Sequence, residues 1–364
     1  MDSFSGVCRS FSFPNAPEIG ISASFFDIMN HEMKNRKNIS AILLPLLLVS
    51  CSPRQDGNSS SAKYDVHSLT TSYFYDNIGK IRIKGESSFG MTPFNTSISG
   101  RVLSLLNTYT EEDYSKMDDM FQYYFAYYHA LLDRHSYYTY YENGDEKTDD
   151  RDCITNVKVI NDSYGKETPI TCDPFLYKVL KESYEFTLNS NLRFNMFLGT
   201  LNQIYEDKLG SLSKDTTSLD TTLTLINKAT FATDFDQEEI KAVVNTLPNT
   251  KEEVEKLLTF DDENLTVTFH RIDKAEKLEI SLGGNGKGFA TEEITSMLKE
   301  QYPGISLTVN SGTSSIKAVG ERPDGKAWNI LYSNPVYNET VHSSVEIRNT
   351  YNPYEVGVKV KGEF

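Results

Sequence analysis

Apolar and polar positions alternate with a short period where the folded region begins. From Tyr64 to about Ser99 the chain reads as brief β segments, with Lys80-Ile81-Arg82-Ile83-Lys84 alternating and Gly85 and Gly90 as punctuation. The period then lengthens. Met117, Met120, Phe121, Tyr124, Tyr128 and Leu131 recur at helical spacing and predict a long helix, with Thr110 and Asp113 placed to form a capping box ahead of it. The stripe Tyr123, Tyr124, Tyr127, Tyr128 reads as core packing with hydroxyls at the rim in preference to a ligand platform. Residues 141–153 read as an acidic, solvated loop and not a cation site. Asp173-Pro174 announces another helix, Asp as N-cap and Pro in the first turn, with Leu176, Val179, Leu180 and Tyr184 on its inner face. Helical patterns recur near Glu238–Leu247 and Lys251–Leu258. Strands are predicted near Leu265–Arg271 and Lys277–Leu282, the second running into a glycine-rich turn. Beyond it come a helix over Thr291–Gln301 and strands around Ile305–Val309, Ser315–Val319, Trp328–Tyr332 and Glu355–Lys361. The mixture predicts an α/β or α+β fold without internal repeats.

Residues 1–32 lack this patterning. From Met33 the order is different: Lys34, Arg36 and Lys37, then the apolar run Ile42-Leu43-Leu44-Pro45-Leu46-Leu47-Leu48-Val49, then Ser50-Cys51. The run falls short of the roughly 20 residues that span a bilayer. The basic segment, the apolar segment and the small residue before cysteine resemble a bacterial lipoprotein signal; a buried strand or helix ending at a Cys is the plainer alternative. The expected organisation is an over-extended start (1–32), a signal peptide (33–50), a polar flexible tether (51–63) with Cys51 lipidated, and a folded domain (64–364). That places the protein on the outer face of a bacterial cytoplasmic membrane, held by its lipid.

Charge and cysteines narrow the partners. The 36 Lys and Arg face 51 Asp and Glu, a formal charge of −15. Residues 1–50 hold four acids (Asp2, Glu18, Asp27, Glu32) and four bases (Arg9, Lys34, Arg36, Lys37), so the remainder keeps the same charge. Such a surface repels a phosphate backbone, and a nucleic-acid partner is not expected. Beyond Cys51, Cys153 and Cys172 enclose 18 residues. A bridge between them is permitted outside the cytoplasm and would stabilise by roughly 3 kcal/mol, two buried or free thiols being the alternative. Neither cysteine nor the six His has zinc-finger spacing.

The sharpest local feature is Glu279-Ile280-Ser281-Leu282-Gly283-Gly284-Asn285-Gly286-Lys287-Gly288-Phe289-Ala290. Glycines let backbone approach a phosphate, and a helix start beyond them favours an anion. A P-loop would need Gly where Ser281 stands and Ser or Thr where Gly288 stands; the dinucleotide fingerprint fails at Phe289. The segment instead resembles the D-L-G-G-x-A-K-G-Y-A signature of the FAD:protein FMN transferases, the ApbE family. Leu307-Thr308-Val309-Asn310-Ser311-Gly312, Ser314 through Gly320, Pro323-Asp324-Gly325-Lys326-Ala327-Trp328-Asn329-Ile330 and Asn334-Pro335 follow in that family's order. Upstream, Phe194-Asn195-Met196-Phe197-Leu198-Gly199-Thr200-Leu201 is similar to its F-D-x-T-x-G-P-L segment, and Ile154-Thr155-Asn156 through Ile160-Asn161 to its approach to the flavin pocket.

The resemblance implies an ApbE-like two-part fold with mixed sheets flanked by helices. It also implies an enzyme with FAD as substrate: a threonine hydroxyl of an acceptor flavoprotein attacks the FMN-side phosphorus, leaving FMN esterified and releasing AMP. Mg²⁺ is the implied metal, with the main-chain oxygen of Gly284 as one ligand. Lys287 would lie by the nucleotide, and Asn195, Met196 and Phe197 on the flavin side, Asn195 replacing an Asp. For Gly284 and Lys287 a tight turn and a solvated cation are the plainer roles. Two departures follow. Ser281 stands for the Asp that opens the glycine motif, and the family's later His-x-x-Asp-Pro and Asp-Ala-x-x-Thr segments do not occur, so the domain is expected to lack its C-terminal metal segment. The competing expectation is a non-catalytic flavin-binding lipoprotein or an inactive fragment of the family. A purely structural surface lipoprotein is disfavoured by the nucleotide-like turn.

Overall fold

Thr110 and Asp113 close the expected capping box: the Asp113 N–H donates to Thr110 Oγ1 at 3.2 Å and the Thr110 N–H to Asp113 Oδ2 at 2.9 Å. In the computed structural model, which describes residues 64–71, 81–84, 92–142, 145–146, 153–214, 236–312, 314–332 and 356–360, this cap opens α1 (Glu111–Leu132). Glu111, Glu112 and Asp113 in its first turn complement the helix dipole. Met117, Phe121, Phe125 and Leu131 are buried along it, as the spacing predicts. The signal segment, Cys51 and the tether lie outside the described residues.

The helix α1 packs with a four-stranded sheet in the order β1 (Tyr64–Thr70), β3 (Ser99–Leu105), β10 (Ser306–Ser311), β11 (Ser315–Val319), its pairs antiparallel. Leu69, Val102, Leu307 and Val309 give it buried positions. At Gly100 of β3 a Cβ would lie 3.2 Å from Phe121 Cε2, so glycine lets the ring close onto the strand. A second sheet runs β2 (Ile81–Ile83), β4 (Tyr138–Glu142), β5 (Asp145–Glu146), with β6 (Cys153–Ile154) also on β4. A third joins β7 (Ile170–Thr171), β9 (Thr266–Phe269) and β8 (Leu258–Asp261). The helices are α2 (Val157–Asp162), α3 (Pro174–Asn189), α4 (Gly199–Lys214), α5 (Gln237–Thr246), α6 (Lys251–Glu255) and α7 (Gly286–Gln301). Several small sheets with helices among them make the fold α/β, as expected.

Ala62–Trp328 forms most of one compact unit, and Asn329–Val360 belongs to a second. Near that boundary the structure describes one strand pair, β12 (Trp328–Tyr332) with β13 (Val356–Val360).

Four expectations are corrected. Lys277–Leu282 is not a sheet strand; its polar partners, given below, are side chains and single main-chain groups of Met196 and Gly199. The helix expected over Lys251–Leu258 stops at Glu255, because consecutive Leu257 and Leu258 are both buried and Leu257 O accepts the His270 N–H at 2.8 Å. The helix expected from Thr291 starts at Gly286. Within the acidic stretch 141–153, Tyr141 pairs with Glu146 and Glu142 with Asp145, so a hairpin rung stands where a loop is expected. The helices α2 and α4 and the strands β3, β4, β6, β7 and β8 have no counterpart in the sequence pattern. Cys153 and Cys172 are free thiols, the second buried.

The Tyr stripe is core, as read from its spacing. Tyr127 and Tyr128 are buried, Tyr128 stacks on Phe175 at 3.8 Å, and Tyr127 Oη donates to Asp173 Oδ2 at 2.8 Å. Burial pushes the Tyr127 hydroxyl far above its ordinary range. Asp173 caps α3 by accepting the Phe175 N–H at 2.8 Å; burial raises its carboxyl while the Tyr127 and backbone hydrogen bonds oppose the rise.

Candidate functional site: the glycine turn before α7

The segment Glu279–Leu282 is anchored residue by residue. Glu279 O accepts the Gly199 N–H at 2.9 Å, and a Cβ on Gly199 would lie 2.6 Å from Glu279 Cβ. Only glycine fits there. Ile280 finds a surrogate strand partner in the Asn161 amide: Ile280 N–H donates to Asn161 Oδ1 at 2.7 Å and Asn161 Nδ2 donates back to Ile280 O at 3.0 Å. The Ser281 N–H donates to Met196 O at 2.8 Å, and Asn202 Nδ2 donates to Ser281 Oγ at 3.1 Å. These bonds give the segment main-chain partners without a sheet.

The chain then turns. Leu282 O accepts the N–H groups of Asn285 at 3.3 Å and Gly286 at 2.7 Å, and α7 begins. Gly286 lies against α1, where a Cβ would be 3.0 Å from Leu132 Cδ1. Gly283 and Gly284 are exposed. The N-cap, Asn285, makes no side-chain bond to the first turn; its Nδ2 donates to Ser183 Oγ at 2.7 Å, and its Oδ1 is buried with no partner among the described residues. One turn in, the half-buried Lys287 makes no ion pair or side-chain hydrogen bond among the described residues. Exposed glycines, a helix N-terminus without a side-chain cap and an unpaired ammonium are what an oxyanion group requires.

The end of β10 closes one flank. Thr291 Oγ1 and Ser311 Oγ are 2.6 Å apart, joining α7 to that strand. Asn310 Oδ1 is buried without a partner among the described residues. Gly312 has φ +68°, and a Cβ there would collide with Thr96 Oγ1, so this turn too admits only glycine.

The residues expected at the site are brought together in part. Ser281, Gly284 and Lys287 occupy one turn, and Met196 reaches Ser281 through its backbone oxygen. The side chains of Met196 and Phe197 are fully buried, Phe197 lying 6.0 Å from the Phe269 ring. Asn195 is engaged locally: its Oδ1 accepts the Phe197 N–H at 2.9 Å and its Nδ2 donates to Pro248 O at 3.3 Å. Among the described residues no group of three or more His, Cys, Asp or Glu side chains is placed to hold a metal. Asn202 and Asn285, which touch or form the turn, carry no periodicity or spacing that singles them out in the sequence.

An α/β chain with an anion-ready glycine turn is a class shared by many nucleotide-binding proteins, and comparison narrows it. The ApbE family model matches residues 136–352. The chain belongs to the ApbE family. Among solved structures it is similar to an ApbE protein of Thermotoga maritima, with 16% identity, 75% of this chain and 67% of that one covered and a TM-score of 0.47. A flavin transferase ApbE from Vibrio cholerae gives 13%, 75%, 65% and 0.45. The apo form of a Pseudomonas stutzeri flavinyl transferase ApbE gives 12%, 82%, 67% and 0.44. The chain thus spans about two thirds of the length of each. No curated protein matches it.

Proposed function

We propose that the chain is a flavin transferase that takes FAD as substrate and moves its FMN half to a threonine of an acceptor flavoprotein. Family membership supports a transferase by resemblance, and one observation carries the assignment to a site: two exposed glycines, Gly283 and Gly284, before an α-helix without a side-chain cap, with Lys287 beside them and unpaired among the described residues. In this reading the turn lets the FAD diphosphate approach the backbone, and the α7 N-terminus and the Lys287 ammonium neutralise its charge. The threonine oxygen bonds to the FMN-side phosphorus, the bond to the bridging oxygen breaks, AMP departs and the hydroxyl proton leaves to solvent. Such a transfer depends on positioning and charge neutralisation more than on covalent chemistry by the protein.

Magnesium is implied by the family resemblance. A single main-chain oxygen at Gly284 is not a magnesium site, and the described residues add no carboxylate cluster, so no step is routed through the ion. The lipoprotein-like signal before Cys51 supports lipid attachment there and an extracytoplasmic site of action; detergent-phase partitioning that is lost in Cys51→Ala is the expected result, and equal partitioning of both forms would overturn it.

The test is incubation of the protein with FAD, with and without Mg²⁺, and a threonine-containing acceptor, followed by in-gel flavin fluorescence after denaturation. Covalent fluorescence that disappears in Gly284→Val is expected, because a Cβ at Gly284 already meets Phe194 Cε2 at 3.3 Å and the added methyls occupy the approach to the turn. Ser281, a neutral hydroxyl engaged by Asn202, favours a second reading, flavin capture without transfer. Reversible FAD binding with no covalent product would establish that one.

A further inference from the structure

The segment that feeds the turn is held by one buried guanidinium. Arg134 follows directly on the C-cap of α1, Asp133, whose carboxylate fixes the local backbone by accepting the N–H groups of His135 at 2.9 Å and Ser136 at 3.3 Å. The Arg134 side chain is only 6% exposed. Its Nη1 donates to Glu279 Oε2 at 3.1 Å, and its Nη2 donates to Glu206 Oε2 on α4. Lys277 Nζ is 2.7 Å from the other Glu279 oxygen, and His135 Nε2 is 3.3 Å from Glu206 Oε2. Glu279 is the residue whose backbone oxygen receives Gly199, the first residue of α4, and it stands two residues before Ser281. One planar fork therefore ties the end of α1, the helix α4 and the segment that feeds the glycine turn.

A buried ion pair is weak evidence for stability, since desolvation offsets its attraction, but its geometry is demanding. Arginine alone presents donors in a rigid fork able to serve two carboxylates at once; a lysine in the same place is a single flexible point charge. Ordinary packing would have been met by an apolar side chain.

We propose that Arg134 is a positioning residue for flavin binding: by fixing Glu279 against α4 it sets where Ser281, Gly283 and Gly284 stand when the FAD diphosphate is received. Arg134 does not touch the turn itself and acts through Glu279. The inference rests on the flavin-binding reading above.

The experiment uses the full chain and its Arg134→Gln, Arg134→Lys and Glu206→Gln variants, with FAD affinity read by fluorescence quenching and folding by circular dichroism and Tm. Arg134→Gln should weaken FAD binding at least tenfold at a temperature where its spectrum remains native, and Arg134→Lys should recover only part of the loss. Glu206 is about half exposed, so Glu206→Gln should keep the Tm within a few degrees yet weaken FAD binding about threefold. A merely structural arginine would lower Tm and leave the affinity of the folded protein unchanged. Native-like affinity in folded Arg134→Gln, or in Glu206→Gln should the former not fold, overturns the inference while the flavin-binding reading stands. Failure of the unaltered protein to bind FAD overturns both.

Discussion

In two side chains outside the turn, burial is the largest influence on protonation. Cys172 is 1% exposed, and burial pushes its thiol up to about 12; Cys153 is partly exposed on β6. Alkylation of the native protein at pH 8, read by peptide mass spectrometry, should label Cys153 and spare Cys172, since only thiolate reacts. Labelling of both at equal rates would place Cys172 in a different environment. His129 is the second case. Its Nδ1 accepts the Phe94 N–H at 3.1 Å, Nε2 lies 3.3 Å from Tyr138 Oη, and Tyr138 Oη donates to Asp133 Oδ2 at 2.8 Å. Burial holds its pKa below the ordinary value, Asp133 opposing and His135 adding to the fall. Between that folded value and the unfolded one of about 6.5, the unfolded chain binds the proton that the core refuses. His129 thus contributes stability that is complete above the unfolded value and is lost as pH falls through the folded one. Urea midpoints at pH 7.5 and 5.5 should fall with acid in the unaltered protein, and by less in His129→Gln, which retains an acceptor. An unchanged pH difference in that variant would assign the loss to other groups.

Elements with a chemical punctuation mark were legible in the sequence, and those without one were not. The Thr110 capping box and the Asp173-Pro174 start each name a donor and an acceptor within a few residues, and both helices begin where those residues stand. Thr110→Ala should accordingly cost about 1 kcal/mol, read as a shift in denaturant midpoint. Gly286 and Gly288 concealed the first turn of α7, because glycine disfavours helix; there Gly286 lies against Leu132 and Gly288 against Ser315 at the start of β11. The segment Lys277–Leu282 has a strand's alternation, yet its partner at Ile280 is the side chain of Asn161, 119 residues away, and no local pattern encodes that. The same long-range requirement hides Gly199. Replacing it with Ala forces Glu279 aside and should destabilise by about 1–3 kcal/mol. Gly283→Ala, whose Cβ meets only Ser281 Oγ at 3.7 Å, should stay within about 0.5 kcal/mol. Equal losses at the two sites would show that the backbone of the turn, not the close approach at Gly199, is the constraint. Of the candidate site, the turn itself was readable because its glycines and lysine stand together in the sequence; its supports Asn161, Asn202 and Arg134 meet Ile280, Ser281 and Glu279 from far along the chain, where no local pattern marks them.

Taken whole, the chain poses an electrostatic question that the turn must answer. A formal charge of −15 repels an anionic ligand such as FAD over distances set by the ionic strength. The Debye length is about 30 Å at 0.01 M salt and about 8 Å at 0.15 M, so raising salt over that range removes most of the long-range repulsion. Lys287 and the α7 N-terminus act at contact distance, where screening is weaker. On the proposed reading, the unaltered protein combines a repulsion that salt relieves with an attraction that salt also erodes, and its affinity for FAD should vary little with ionic strength. Lys287→Gln removes part of the attraction and leaves the repulsion. Its FAD affinity should be lower by about tenfold at 0.01 M salt, the equivalent of about 1.4 kcal/mol, and should recover as salt rises, giving a steeper positive dependence than the unaltered protein. Quenching titrations at four ionic strengths measure both slopes. Parallel slopes with equal affinities would mean that the Lys287 ammonium does not meet the flavin diphosphate, and the anion would then have to be held by the backbone of the turn alone.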